Sequence, residues 1–299
     1  MVKFEVVAMV LAPEQHIATF VAHYRQRGAD RIRVFFDGDA ASIGPFEGAE
    51  IVACDDAFWR DLGMARPYGV ENRQRAVYNH AYRQSAADWL LVVDVDEFIL
   101  GDDAISDLLS SIAPERESVI FRSVEAVYSD RHDLSREYGA AFFRKPYGRP
   151  YCSVLPHLVY PGSGGCFTKG LLGHDMGKHA VRTGIADIVV DIHESKRNGE
   201  PLDAARNVPG RSKKPLLLAH YDAISLEQWR AKWDRRLEAQ DLLEAGRKRT
   251  RQFQLYAAAR RQGTEAQLFR RLYALGAFQT FLLSCLNLII PHKPNDLTV

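Results

Sequence analysis

Three carboxylates, Asp94, Asp96 and Glu97, fall within four positions, directly after the apolar run Trp89-Leu90-Leu91-Val92-Val93. Asp94 and Asp96 are two apart, so in an extended chain both point to one side and can share a cation. All-oxygen ligation suits a hard ion such as Mg²⁺ or Mn²⁺, and such ions commonly carry phosphates. The chemistry expected is therefore a metal–diphosphate site. Loop acids at a strand exit, or caps for the next turn, are the alternative use of the same residues.

The elements that must hold these acids can be read from the apolar pattern. Five consecutive apolar residues predict a strand buried on both faces, as in a parallel sheet covered by helices. Ligands of such sheets sit beyond the carboxyl ends of the strands. Phe4–Leu11 predicts a first strand, and Pro13 suits the first turn of a helix. Ile17, Phe20, Val21 and Tyr24 form its inner stripe, and Gly28 is placed to end it. Arg31–Phe36 predicts a second strand with an acidic turn, Asp37-Gly38-Asp39, completing a βαβ unit. Glu50–Cys54 predicts a third strand, 55–70 an ordered loop, and Glu71–Ser85 a helix. Residues 1–100 thus read as a nucleotide-binding half of Rossmann type. The absence of G-x-G-x-x-G and G-x-x-x-x-G-K-[ST] argues against a dinucleotide fold proper and a P-loop ATPase.

Further along, Ser118–Arg122, Ile185–Ile192 and Leu216–Ala219 predict strands, the last two ending at His193 and His220. Ser129–Gly173 is rich in Tyr, Pro, Gly and Arg, the composition of an irregular binding stretch, and acceptor recognition is expected there. Ser225 and Gln228 form a capping box for a helix to about Leu243. Helices are expected to continue to Ile290, with Pro291 as the stop.

The chain has 299 residues and a formal net charge of +1, which favours neither a nucleic-acid binder nor an acidic scaffold. The balance is uneven: Arg230–Arg271 holds 12 Lys/Arg against 5 Asp/Glu. Such a basic, helical stretch suits an anionic surface, and peripheral contact with a membrane is an expectation. Ala274–Ile290 is apolar but carries Gln279, Thr280, Ser284 and Asn287, so a helix packed on the domain or lying in the interface is expected rather than a span. Cys54, Cys152, Cys166 and Cys285 have no C-x-x-C or zinc spacing, consistent with reduced thiols. The amino terminus runs straight into a strand, so a cytoplasmic location is expected.

The run from Gln74 through Tyr78-Asn79 and Ala87-Asp88-Trp89 to Asp94-Val95-Asp96-Glu97-Phe98 resembles the GT-A glycosyltransferases, specifically the family 2-like and family 92-like branch with a D-x-D-E-F motif. His220-Tyr221, Ser225, Trp229, Lys232 and Arg235 resemble the segment that closes that domain. The likeness spans residues 3–236. It implies a GT-A domain over 1–236, with a nucleotide-binding half (1–100) and an acceptor-side half (101–236) in a mixed sheet with helices on both faces. A helical extension would occupy 237–299.

The resemblance also implies roles. Asp96 would bind Mn²⁺ or Mg²⁺ directly, with Asp94 reaching the ribose or the metal and His220 completing the metal shell; His193 competes with His220. Asp37, Asp39, Pro13 and Glu14 would lie around the base and ribose, although Ala12-Pro13-Glu14 stands where relatives commonly show K-N-E. Gln74 falls in the matched helix and is a donor-side candidate. Lys178 and Arg182 are candidates to clamp phosphate oxygens. Asp175, Glu125 and Glu97 are candidates to take the proton of an acceptor hydroxyl, with Asp175 preferred and Glu97 equally placed to brace the metal acids. The implied activity is transfer of a hexose from a nucleotide sugar, UDP-linked, to a saccharide or lipid-linked glycan, with inversion. A sugar nucleotidyltransferase and a non-catalytic, membrane-associated glycan-binding scaffold are the alternatives.

Overall fold

The computed structural model describes residues 2–149, 151–238 and 247–292. They are an α/β arrangement in two compact units, one of residues 2–122 and 176–218, the other of 123–175 and 219–292. The first unit thus reaches past residue 100 and takes in a later segment of the chain.

The first unit begins β1 (Phe4–Val10), α1 (Glu14–Gln26), β2 (Arg31–Phe36), β3 (Glu50–Ala53), α2 (Asp56–Asp61), α3 (Val70–Gln84), β4 (Trp89–Val92), β5 (Glu97–Leu100) and α4 (Ile105–Ser110). β6 (Ser118–Ser129) starts in the first unit and ends in the second, where β7 (Phe142–Arg144) and α5 (Tyr151–Val159) follow. The chain returns to the first unit with β8 (Lys178–Arg182). Three short strands, β9 (Ile188–Val189), β10 (Lys196–Arg197) and β11 (Glu200–Pro201), make a separate antiparallel sheet. After β12 (Ala204–Arg206) and β13 (Leu217–His220), the second unit closes with α6 (Leu226–Glu238), α7 (Arg247–Gln262), α8 (Glu265–Tyr273), β14 (Ala274–Leu275), α9 (Ala277–Cys285) and β15 (Ile289–Pro291).

In the first unit β3, β2, β1 and β4 are parallel and adjacent in that order, and β8 then runs antiparallel to β4. β1 is buried along its whole length because alternate side chains serve two cores. Phe4, Val6, Ala8 and Val10 pack with Ile17, Phe20, Val21 and Tyr24 of α1. Val7 and Met9 pack with Val77, Tyr78 and Ala81 of α3. β4 divides likewise, Trp89 and Leu91 to one side, Leu90 and Val92 to the other. A Schellman motif ends α1 as expected: Gly28, at φ +81°, donates to Arg25 O, and Ala29 N to Tyr24 O.

Several elements differ from expectation. The stretch 55–70 contains α2, started by Asp55, whose Oδ1 accepts from Phe58 N at 2.9 Å. Six residues are too few to display a helical period. Within Ile185–Ile192 only Ile188–Val189 pairs as a strand. Ser129–Gly173 holds β7 and α5, and β6 runs twelve residues rather than five. The expected end of α6 near Leu243 lies outside the described residues. Ala274–Ile290 is not one helix: α9 has nine residues, and Ile289–Pro291 pairs antiparallel with β7. Among the described residues no helix is long and apolar enough to cross a membrane.

In the second unit β7 lies between the latter part of β6 and β15. α6, α7 and α8 meet on Trp229, whose ring stands edge-on to Tyr256, Phe269 and Tyr273. Ser225 caps α6, its Oγ accepting from Gln228 N at 3.3 Å.

Candidate active site

β1 is the strand at which the direction of winding reverses. The chain passes from β1 outward to β2 and β3, then returns through α3 to place β4 on the other side of β1. The crevice beyond the carboxyl ends of two such strands is where open α/β sheets hold ligands. The exits of β1, β2 and β4 are tied there by the backbone: Asp37 N donates to Val10 O at 2.8 Å and Val93 N to Val7 O at 3.2 Å.

The acidic segment leaves β4 as a turn, not as the extended strand expected for a D-x-D pair. Glu97 N donates to Asp94 O at 3.0 Å, and the Glu97 carboxylate accepts from Asp94 N at 2.8 Å. The reciprocal pair closes a four-residue loop with Val95 and Asp96 at its tip, so side-chain alternation no longer places Asp94 and Asp96. Glu97 is fully buried and braces the turn.

Donors from α3 and β8 hold Asp94. Gln74 Nε2 donates to its Oδ1 at 3.2 Å, and Lys178 Nζ lies 2.8 Å from its Oδ2 and 3.8 Å from Glu97 Oε2. Lys178 opens β8, where His179 stands opposite Val92, so antiparallel pairing delivers it to the end of β4. It is 0% exposed and faces these acids rather than solvent, which differs from a phosphate clamp. Burial alone would lower its pKa, but Asp94, Glu97 and Tyr78 more than offset that and hold it above its ordinary value. Tyr78 is pushed up, first by burial and then by Asp94.

Asp94 and Glu97 thus share the buried ammonium of Lys178, and Asp96 adds a third carboxylate to the turn. The acids outnumber that lysine and present oxygen donors, with Asp94 and Asp96 half-buried at the crevice. That donor set fits a hard divalent cation. Among the described residues no group of three or more His, Cys, Asp or Glu side chains is arranged to hold a metal unaided. Mg²⁺-type sites built from one or two carboxylates and completed by substrate phosphates need no such group.

The remaining candidates are placed as follows. Asp37 is buried, with Arg66 Nη2 on Oδ1 and Arg73 Nε on Oδ2, each at 2.9 Å. Arg73 also donates to Pro67 O and Tyr68 O, pinning the loop before α3. These arginines were not recognised in the sequence, where the only cue was an unusually charged face on a helix start. Asp39 is exposed and caps a turn, accepting from Ala41 N at 3.0 Å. Pro13 is the N-cap of α1 rather than part of its first turn, and Glu14 Oε1 accepts from Gly44 N at 3.3 Å. Arg182 departs from a phosphate-clamping role: its guanidinium lies over Trp89 and donates to Ile112 O and Arg116 O. His193, in the same unit as the acids, has Nδ1 3.1 Å from Gly177 O. Its pKa is lowered by burial and by Lys178, with Asp94 acting in the opposite sense.

In the second unit His220 lies parallel to His174, with ring centroids 6.3 Å apart. Asp175 pairs with Lys169 and keeps 26% of its side chain exposed. Glu125 does not have the freedom of a base. It is 1% exposed, paired with Arg144, and accepts from Leu172 N at 2.9 Å and Gly173 N at 2.8 Å.

The chain matches no protein-family model, and no curated protein matches it. Among solved structures it is similar to glucosyl-3-phosphoglycerate synthase from Mycobacterium tuberculosis, crystallised with Mn²⁺, UDP and glucosyl-3-phosphoglycerate, at 14% identity over 60% of this chain and 56% of that one, TM-score 0.31. It is also similar to TarS 1–349 of S. aureus at 12% identity over 81% and 66%, TM-score 0.39. HddC from Yersinia pseudotuberculosis, complexed with GMP-PN, matches at 12% identity over 44% and 66%, TM-score 0.28. The chain spans just over half the length of the synthase. At these TM-scores the likenesses assign no activity to this chain.

Proposed function

We propose that this chain is a metal-dependent GT-A glycosyltransferase that moves a hexose from a nucleotide sugar, UDP-linked, to a saccharide or lipid-linked glycan with inversion. The observation that carries this reading is the acidic turn Asp94–Glu97 at the reversal point of the sheet, fixed from α3 by Gln74 and from β8 by Lys178. A nucleoside diphosphate brings its own charge into a crevice already negative, so the acids favour it only together with a cation. Bound Mn²⁺ or Mg²⁺ would supply Lewis-acid stabilisation of the departing diphosphate.

Asp96, at the tip of the turn, is the ligand proposed to meet the ion, and Asp94 is held for the ribose or the ion. Lys178 sets the rotamer of Asp94, and Glu97 sets the turn; neither needs to touch donor. Asp37 organises Arg66 and Arg73 at the neighbouring strand exit, where the base and ribose are proposed to lie with Pro13, Glu14 and Asp39. Asp175 is proposed to take the acceptor proton, because it keeps a partial exposure that Glu97 and Glu125 lack. His220 and His193 remain the imidazoles proposed to serve the cation.

A panel of nucleotide sugars with Mn²⁺, scored by release of free nucleotide, tests the reading, with Asp96→Ala as control. Release that requires the metal and vanishes in the variant supports it. Folded protein that releases nothing, and gives no UDP binding heat with or without Mn²⁺, overturns it.

A further inference from the structure

The second unit carries an apolar surface that its own core does not use. On α5, Tyr151, Val154 and Leu158 are 45%, 70% and 52% exposed at i, i+3 and i+7 spacing, while Leu155, Pro156 and Val159 face inward. On α9, Phe278 and Phe281 are 60% and 69% exposed, one turn apart, with Leu283 inward. Scattered exposed apolar residues are ordinary, but two helical stripes with two exposed phenylalanines on nine residues are not.

A cavity of about 320 Å³ links the two helices. Val159, at the end of α5, and Gln279, in the first turn of α9, both line it, and these are the chain neighbours of Leu158 and Phe278. The end of α5 and the start of α9 therefore border one opening, and each helix also carries exposed apolar side chains. Its other wall is basic: Arg270 and Arg271, both exposed at the end of α8, line the cavity, with Asp130 as its acidic lining residue. Arg270 is aimed by a 2.7 Å bond to Asp130 O. The wider segment Arg230–Arg271 adds to the positive field.

From this juxtaposition we infer that the α5–α9 face is a docking site for the surface of a bilayer containing anionic phospholipid. The apolar side chains enter the acyl boundary, and Arg270 and Arg271 receive a lipid phosphate at the cavity mouth. Charge complementarity selects this occupant. A second copy of the chain would bring like charges together, whereas an anionic leaflet neutralises them. Helices of nine residues are too short to cross a bilayer, and an exposed apolar stripe beside cationic side chains is the pattern of a helix that lies in its interface. Phenylalanine and tyrosine beside arginine is the side-chain mixture such interfaces favour. The inference does not depend on the proposed activity, and its test needs no turnover.

The experiment is flotation of the full chain with vesicles of phosphatidylcholine alone and of phosphatidylcholine containing about one-third phosphatidylglycerol. Binding is expected on the anionic vesicles, weakening as salt is raised. Arg270→Gln with Arg271→Gln is expected to weaken it by about tenfold, and Phe278→Ser with Phe281→Ser to abolish it. Val154→Ser, a single change on the other helix, provides an independent arm, with circular dichroism reporting the fold of each variant. No flotation, equal flotation on both vesicles, or flotation unchanged in folded Phe and Val154 variants overturns the inference. So does a concentration-dependent dimer that the Phe pair alone disrupts, since the face would then join copies of the chain.

Discussion

The ammonium of Lys178 sits 2.8 Å from the Asp94 carboxylate and has no exposed surface of its own. It is the positive charge that lets Asp94 and Glu97 stand together at the end of a buried strand. Removing one member of a buried pair leaves the other uncompensated, at a cost of several kcal/mol. Asp94 is one-third exposed, which reduces the loss. Lys178→Met is expected to lower unfolding stability by about 3 kcal/mol in urea titration. Lys178→Arg, too wide for the same space, is expected to recover less than half of that.

Asp96 is the residue whose loss should separate chemistry from folding. Asp96→Ala is expected to leave the urea midpoint within experimental error and to reduce metal-dependent nucleotide release by at least about a hundredfold. EDTA is expected to stop release in the unaltered chain, and added Mn²⁺ to restore it. A variant that unfolds, or one that retains full release, contradicts the placement of Asp96.

Asp37 and its two arginines give a graded prediction. Arg66 is nearly half-exposed and its bond to Asp37 is screened, so Arg66→Ala should cost less than about 1 kcal/mol. Asp37→Ala strands the largely buried Arg73 and is expected to cost about 3 kcal/mol. Hydrogen exchange at 62–69 should rise in Asp37→Ala, because Arg73 also holds the Pro67 and Tyr68 carbonyls.

Two buried histidines set the acid limit of the first unit. His23, which bonds Ile99 O, is pushed down to about 3 by burial and then by Arg27. His179, which bonds Ser195, is pushed down to about 3 by burial and then by Lys178. Between the ordinary value of 6.5 and about 3 the unfolded chain binds protons that the folded chain refuses. Stability therefore falls as pH falls through that window, by up to about 1.4 kcal/mol per pH unit for each histidine. Urea titrations at stepped pH check the slope, and His179→Gln should roughly halve the share the pair contributes.

Gly177 precedes Lys178 at φ +79°, and a Cβ there would lie 2.1 Å from Phe121 O. Gly177→Ala is expected to cost at least about 2 kcal/mol by thermal or chemical unfolding. Because relief requires the start of β8 to shift, metal-dependent nucleotide affinity should fall with it.

What the sequence disclosed followed from burial. β1, β2 and β4 are covered on both faces, so their apolar runs are continuous and point to a parallel sheet without further information. The Schellman end of α1 was equally plain, since Gly28 supplies a conformation other residues resist. α2 was hidden because Phe58 and Trp59 alone cannot display a period. The turn at Asp94–Glu97 was misread as extended, because the residue that bends it, Glu97, does so through its carboxylate on a backbone amide, an interaction no alternation pattern records. Glu125 looked available for proton transfer because its donors, the amides of Leu172 and Gly173, carry no side-chain signature. The ion pairs of Asp37 were hidden for a similar reason: its partners, Arg66 and Arg73, lie far along the chain.

β8 belongs to the first unit yet is translated after β6, β7 and α5. During synthesis the acids that follow β4 emerge well ahead of the lysine that neutralises them. A nascent chain arrested anywhere before residue 178 holds these neighbouring carboxylates without the lysine that pairs with Asp94 in the folded chain. The order of translation itself thus delays assembly of the crevice until the second unit's first segment has been made.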